Sequence, residues 1–275
     1  MPQIPSELTD AIVDHLHADK HSLTACSTVC RAWLPRTRHH TFRSLHLKPS
    51  TTTRFFDLVD SPLSTIAPYV QHLDVIRTYG GGGISWFTDV LPRLAIFTAV
   101  QSTTLTLANF VPLEEGLTPV FATFQLLTHL GLDRCRFKSF AQFADVMCGC
   151  PNLESFASID LTWSADDAFS YSTHLKPSRH PQLRTLNLCG DGKGAVLNWL
   201  RLGQSPPRIT ELVITLIHWE DAKYIGAFLR VLGSSLMHLE VDVRSDTAVS
   251  SVSSSLLAVF SSNHHLLEIN STALP

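Results

Sequence analysis

The sequence predicts an α/β solenoid: a small N-terminal helical module, then about eight or nine strand–helix units whose strands form one parallel, concave sheet. Three observations predict it. A short apolar strand signal recurs nine times at a mean spacing of about 28 residues. Amphipathic stripes at helical spacing fall between many of those signals. Ahead of the first signal, residues 4–42 carry apolar positions three and four apart, the pattern of short helices.

With 275 residues, 44% of them apolar, the chain is long enough to bury a sizeable core. A net charge of −3 gives no general reason to expect nucleic acid or an anionic membrane as partner. Asp10, Asp14 and His15 interrupt the apolar residues near the N-terminus, so no secretory signal is expected. No apolar run reaches the roughly 18 residues that span a bilayer. The expectation is an intracellular protein of the cytoplasm or nucleus, with no membrane partner. The six cysteines are scattered through apolar surroundings and read as packing thiols rather than disulfides or metal ligands. On the same ground Asn270-Ser271-Thr272 should stay unglycosylated.

In the N-terminal module, Pro5 suits a first helical turn and Glu7 complements the helix dipole. With Leu8, Ile12 and Leu16 on one face, a first helix should run to about His17. A second, from about Ser22, carries Leu23, Cys26, Val29, Cys30 and Trp33 and should end before Pro35, whose ring blocks a continuing helix. Arg36, Arg38, His39, His40 and Phe42 follow. His15, His17, His21, His39 and His40 read as surface histidines. A segment this small is near the lower limit for a core of its own, so its helices should also pack on the rest of the chain or on a partner.

Ile4-Pro5-Ser6-Glu7-Leu8, then Ile12, Leu16 and Leu23, then Val29-Cys30-Arg31-Ala32-Trp33, resemble the F-box motif, a Leu-Pro-x-Glu-Leu start followed by Val-Cys-(Arg/Lys)-x-Trp. Ile4 replaces the usual leucine, and Phe42 stands where the family often has Trp or Phe. The resemblance implies a three-helix module at 1–43 that docks on the Skp adaptor of SCF-type ubiquitin ligases, and through it on a cullin. Carried over by position, Pro5, Leu8, Ile12, Leu16, Leu23, Val29 and Trp33 are the adaptor contacts or the core that shapes them.

For residues 44–275, the stretch Leu127-Thr128-His129-Leu130-Gly131-Leu132-Asp133-Arg134-Cys135-Arg136-Phe137 fits the leucine-rich-repeat pattern L-x-x-L-x-L-x-x-(N/C)-x-L. Looser versions centre on Leu45, Leu73, Leu105, Phe156, Leu186, Leu212, Leu239 and Leu267. Gaps between centres run from 25 to 32, the longest separating Leu73 from Leu105. Helical stripes are expected around residues 54–59, 85–94, 139–147, 195–200 and 224–232, with Trp86, Phe143, Trp199 and Phe228 as helix-to-strand core. Each unit leaves an apolar face that only a neighbour can cover, so the units should stack. No capping element is recognisable after the last strand signal, which predicts an exposed apolar edge at residues 266–274, an association surface or further chain.

Strand geometry sends the residues flanking each centre to the concave side. They run from His72, Asp74 and Ile76, through Thr104, Thr106 and Ala108, to Leu266, Glu268 and Asn270. Glu211, His238, Glu240, Asp242 and Glu268 mark the end of that face as a partner-binding surface. From residue 204 onward seven acids outnumber four Lys/Arg, so a basic or polar partner segment is one reading and a solvated face the other.

No metal or cofactor is expected. Gly80-Gly81-Gly82-Gly83 lacks the following Gly-Lys-Ser/Thr and reads as a loop. Gly190-Asp191-Gly192-Lys193-Gly194 has glycine where a Ser or Thr would hold Mg²⁺. His238-Leu239-Glu240 lacks the Pro-Cys-x-x-Cys of a zinc deaminase, and Cys148-Gly149-Cys150 lacks zinc-ligand spacing. The expectation is a non-catalytic substrate-recognition subunit of a ubiquitin ligase, with an unidentified protein as target. The alternative is a non-ligase scaffold whose module serves another assembly or only caps the repeats.

Overall fold

Alternation of apolar and polar residues along short β-prone runs puts one side of each strand into a core and leaves the other outside. The computed structural model describes residues 5–77, 84–107, 113, 116–163, 181–203, 207–217, 219–243 and 267–268. Ile4, Gly80 to Gly83, Ala108, Leu266, Asn270 and most of the C-terminal edge at 266–274 lie outside them. Three helices come first: α1 Ser6–His15, α2 Lys20–Ser27 and α3 Leu34–Phe42. Strands β1 Ser44–Leu47, β2 His72–Arg77, β3 Ser102–Leu107, β4 His129–Asp133, β6 Ser155–Ile159, β8 Thr185–Cys189, β9 Glu211–Ile217 and β10 His238–Val243 then pair in chain order in one parallel sheet. The two-residue β11, Leu267–Glu268, extends it. β5 Arg136–Phe137 and β7 Thr162–Trp163 form a second, two-stranded parallel sheet. The fold is thus α/β with a parallel sheet.

The junction before each strand repeats in detail. The carbonyl of Arg43 accepts from the N–H groups of both Gln71 and His72. Gln71, Gln101, Thr128, Glu154, Arg184 and Thr210 do the same for the next unit in turn, all at 2.7–3.1 Å. One buried apolar residue precedes each of the seven main-sheet strands from β2 to β10: Val70, Val100, Leu127, Leu153, Leu183, Ile209 and Leu236. Parallel strands offer no hairpin to set their offset, so these shared features hold neighbours in step.

One register differs from the sequence expectation. Leu73 lies opposite Thr103, which lies opposite Leu130, so Thr103 and not Leu105 is the third unit's centre. With that change the centres fall 28, 30, 27, 26, 30, 26, 27 and 28 residues apart. A polar residue fits the buried row because the Thr103 hydroxyl donates to the Leu73 carbonyl at 2.8 Å.

Helices α4 Pro49–Val59, α5 Ile84–Val90, α6 Leu117–Thr123, α7 Phe140–Gly149, α8 Lys193–Arg201 and α9 Ala222–Leu232 fall between strands. The stripe expected over 85–94 divides into α5 and a 3₁₀ segment at Leu91–Ile96, and α6 has no counterpart among the expected helices. Phe137, Phe140, Phe143, Phe156, Trp163 and Trp199 meet at ring separations of 5.1–6.4 Å, mostly tilted or edge-on, as ring quadrupoles prefer. Trp199 and Phe228 are buried and Trp86 is half-buried against the same core. Among the described residues no helix is long and apolar enough to cross a membrane.

Candidate functional site

The N-terminal helices separate their apolar residues into two sets. Val13 and Leu23 are 0% exposed and form the core between helices. Leu8, Ile12 and Val29 point outward at 57%, 51% and 61% exposure, with Pro5 exposed and Leu16 and Trp33 half-buried. The comb Leu8–Ile12 therefore marks the outer side of α1, while Val13, one residue round the helix, marks the inner side. Leu23, named in the adaptor set, belongs to the core.

The Val29-to-Trp33 block also lies elsewhere than expected. It forms the turn between α2 and α3 rather than the end of a helix. Pro35 begins a helix instead of ending one, because in the first turn its missing N–H leaves no bond unmade. Asp19 caps α2 by accepting from the N–H groups of His21 and Ser22, and the Ser22 hydroxyl first, then these N–H groups, hold its carboxyl below the usual range.

A polar clamp closes the module. The Asp14 carboxylate on α1 accepts from Arg36 Nε and Nη2 and from His40 Nε2 on α3, the last at 2.7 Å. A carboxylate only accepts, so His40 Nε2 carries the proton in this bond. The guanidinium first, and then the imidazole, hold the Asp14 carboxyl well below the usual carboxylate range. His39 packs edge-on against His40 and Tyr69, and burial lowers its pKa. His39 and His40 are thus half-buried structural groups, not plain surface histidines. Arg43 Nε donates to Gln71 Oε1 at 3.0 Å and Arg38 donates to Thr65, tying α3 to the chain before β2.

The outer face of the sheet is the second surface. Its middle row runs His46, Asp74, Thr104, Gly131, Ala157, Asn187, Val213 and Glu240 in register, with Glu268 opposite Glu240. A Cβ on Gly131 would sit 3.1 Å from the Thr104 side chain, so the row is closely spaced there. His46 meets Asp74 at 2.8 Å, Arg134 Nε donates to Asp133 at 3.0 Å, and Thr185 donates to Glu211 at 3.4 Å. Glu211 and His238 are exposed and lie side by side in register, while Glu240 and Asp242 are half-exposed.

The glycine loop before α8 is built for packing. Gly190 and Gly192 adopt φ of 71° and 82°, where side chains are strained. A Cβ on Gly192 would lie 2.6 Å from the Leu161 carbonyl oxygen. Lys193 is buried, donating to the Gly190 carbonyl with Nζ 3.4 Å from Asp221. Its charge is held by these partners, and Asp221 also borders a cleft of about 250 Å³ lined by Trp163, Gly192, Glu220 and Tyr224. Of the cysteines, Cys135 and Cys150 are buried, and burial pushes the Cys150 thiol up to about 12 and Cys148 up to about 11. Among the described residues no three His, Cys, Asp or Glu side chains converge on a point that would hold a metal.

No protein-family model matches the chain, and no curated protein matches it. What the two surfaces can bind is set by their own chemistry.

Proposed function

We propose that the chain is the substrate-recognition subunit of an SCF-type ubiquitin ligase, acting in the cytoplasm or nucleus. In this reading residues 1–43 are an F-box module that docks on a Skp-type adaptor and so on a cullin, and residues 44–275 form a leucine-rich-repeat solenoid that holds a target protein. The observation that carries it is the division of apolar residues in the module. Val13 and Leu23 are fully buried, and Leu8, Ile12 and Val29 remain outside at more than half exposure. Leu8 and Ile12 lie one helical turn apart on the same outward side of α1, so a partner docking there would bury both together.

The module does not need that face to attach to the array. α3 already reaches the sheet through its contacts to the chain before β2 and through the half-buried Phe42, which packs on the core. The chain then performs no chemistry. It brings target lysines close to a ubiquitin-charged enzyme, and the gain is in effective concentration.

Pull-down of a purified Skp-type adaptor tests the reading. The wild-type chain is expected to retain the adaptor, and Leu8→Asp with Ile12→Asp is expected to lose it with an unchanged circular dichroism spectrum. Retention by the folded double variant would remove the proposed contact face. Absence of binding by the wild-type chain would leave a non-ligase scaffold as the better description.

A further inference from the structure

The outward positions of the eight strands from β1 to β10 carry the carboxylates Asp74, Asp133, Glu211, Glu240 and Asp242, and no lysine or arginine. Compensation is uneven. His46 faces Asp74, Arg134 faces Asp133 and Thr185 bonds Glu211. Glu240 and Asp242, both on β10, have no hydrogen-bond or ion-pair partner among the described residues. Burial lowers the pKa of His72 on the same face, which keeps that imidazole neutral near pH 7 and adds no positive charge. Among the described residues, the unpartnered carboxylates of this face therefore lie together at one end of the sheet, on β10; Arg244 lies outside the described residues.

The middle of the face differs in character. Gly131 and Ala157 leave its central row low, and beside them Ile159 on β6 is 46% exposed, an apolar side chain where β-sheet exteriors usually carry polar ones. From β6 the sheet passes through β8 and β9 to β10. Three steps at about 4.8 Å give about 14 Å, the span of roughly four residues of extended peptide. In an extended peptide, residues i and i+4 face the same side.

We propose that this face binds an extended basic segment of the target, seating an apolar side chain on Ile159 and a lysine or arginine four residues away against Glu240 and Asp242. The proposal rests on the reading of the array as a target-binding surface and adds the chemistry of the target. Opposite charges across the contact steer encounter and penalise acidic segments. Between the two anchors the peptide crosses β8 and β9, over Asn187, Cys189, Val213 and Thr215, and the small residues Gly131 and Ala157 leave room for its chain on the far side of Ile159.

Fluorescence anisotropy with the full purified chain, without adaptor, tests it. The probes are short fluorescein-labelled peptides in a Gly/Ser background, with leucine and, at the fourth and fifth residues from it, two arginines, in both orders. The same peptides with glutamate for arginine are the reference. At least one arginine peptide is expected to bind, the glutamate peptides are not, and binding should weaken as salt rises. Glu240→Lys with Asp242→Lys should weaken binding about tenfold or more, and the near-isosteric Glu240→Gln with Asp242→Asn about threefold or more. Arginine peptides that bind no better than glutamate peptides would overturn the proposal. So would unchanged affinity in the Gln/Asn variant, whose fold is checked by thermal unfolding. Adaptor pull-down with the same variant keeps the two readings separable: loss of peptide binding with adaptor retained concerns the sheet face alone, and adaptor loss in Leu8→Asp with Ile12→Asp concerns the module alone.

Discussion

The hydroxyl of Thr103 donates to the carbonyl of Leu73 across the β2–β3 pair at 2.8 Å, in the buried row that the other units fill with Leu or Phe. Thr103 is 2% exposed, so its oxygen has no water to turn to. Thr103→Val keeps the shape and removes the donor, and should cost about 1 kcal/mol in chemical denaturation. A larger loss would mean that the methyl groups of valine do not fit the space.

The two sides of α1 should separate in the same experiment. Val13→Ala opens a cavity between the N-terminal helices and should cost about 2 kcal/mol. Ile12→Ala, on the outer side, should stay within about 0.5 kcal/mol of the parent. Equal losses at the two positions would contradict the division into inner and outer apolar sets.

Gly192 should resist replacement. Its φ of 82° and the Leu161 carbonyl 2.6 Å from an added Cβ act together, and Gly192→Ala should cost roughly 2 to 3 kcal/mol. Gly116 provides the control. Its nearest neighbour to an added Cβ is a flexible Leu91 methyl at 3.7 Å, and Gly116→Ala should change stability by no more than about 0.5 kcal/mol. Differential scanning fluorimetry resolves the contrast.

Acid should weaken the protein in two stages. His39 and His72 have pKa values lowered by burial from 6.5, so the folded state binds fewer protons than the unfolded chain as pH falls below 6.5, and stability declines. The Asp14 carboxyl is lowered from 3.8 by Arg36 and His40, so its contribution is complete above 3.8 and declines as pH falls further. Melting temperature measured against pH should show both limbs. His39→Gln with His72→Gln should flatten the first, and Asp14→Asn should lower stability at neutral pH while flattening the second.

The strand positions are legible in the sequence because alternation, a buried residue before each strand and near-constant spacing all point to the same places. The third unit is misread by two residues because a template that asks for apolar residues skips Thr103 and accepts Leu105. Its burial depends on a carbonyl from another unit, which no local pattern contains. α6 is missed because its seven residues, Leu117–Thr123, are too few to display a period. In the module, α1 is apolar on two sides, and spacing alone selects the longer comb at Leu8 and Ile12 although the core is at Val13. Pro35 has two lawful places, after a helix or in its first turn, and only the packing of α3 decides. The outward set on the sheet follows from parity alone, since a shift of two residues leaves every side chain on the same side.

Every strand boundary from β1 to β10 is joined by the same shared carbonyl, whichever side chain the accepting residue bears. Because the joint is made by the main chain, it is indifferent to which unit stands on either side. A gene segment encoding one whole unit, from Gln101 to Leu127, could be copied or lost with little consequence for its neighbours' bonding. An architecture of this kind lengthens and shortens by whole periods, and its outward side chains are free to diverge from one copy to the next.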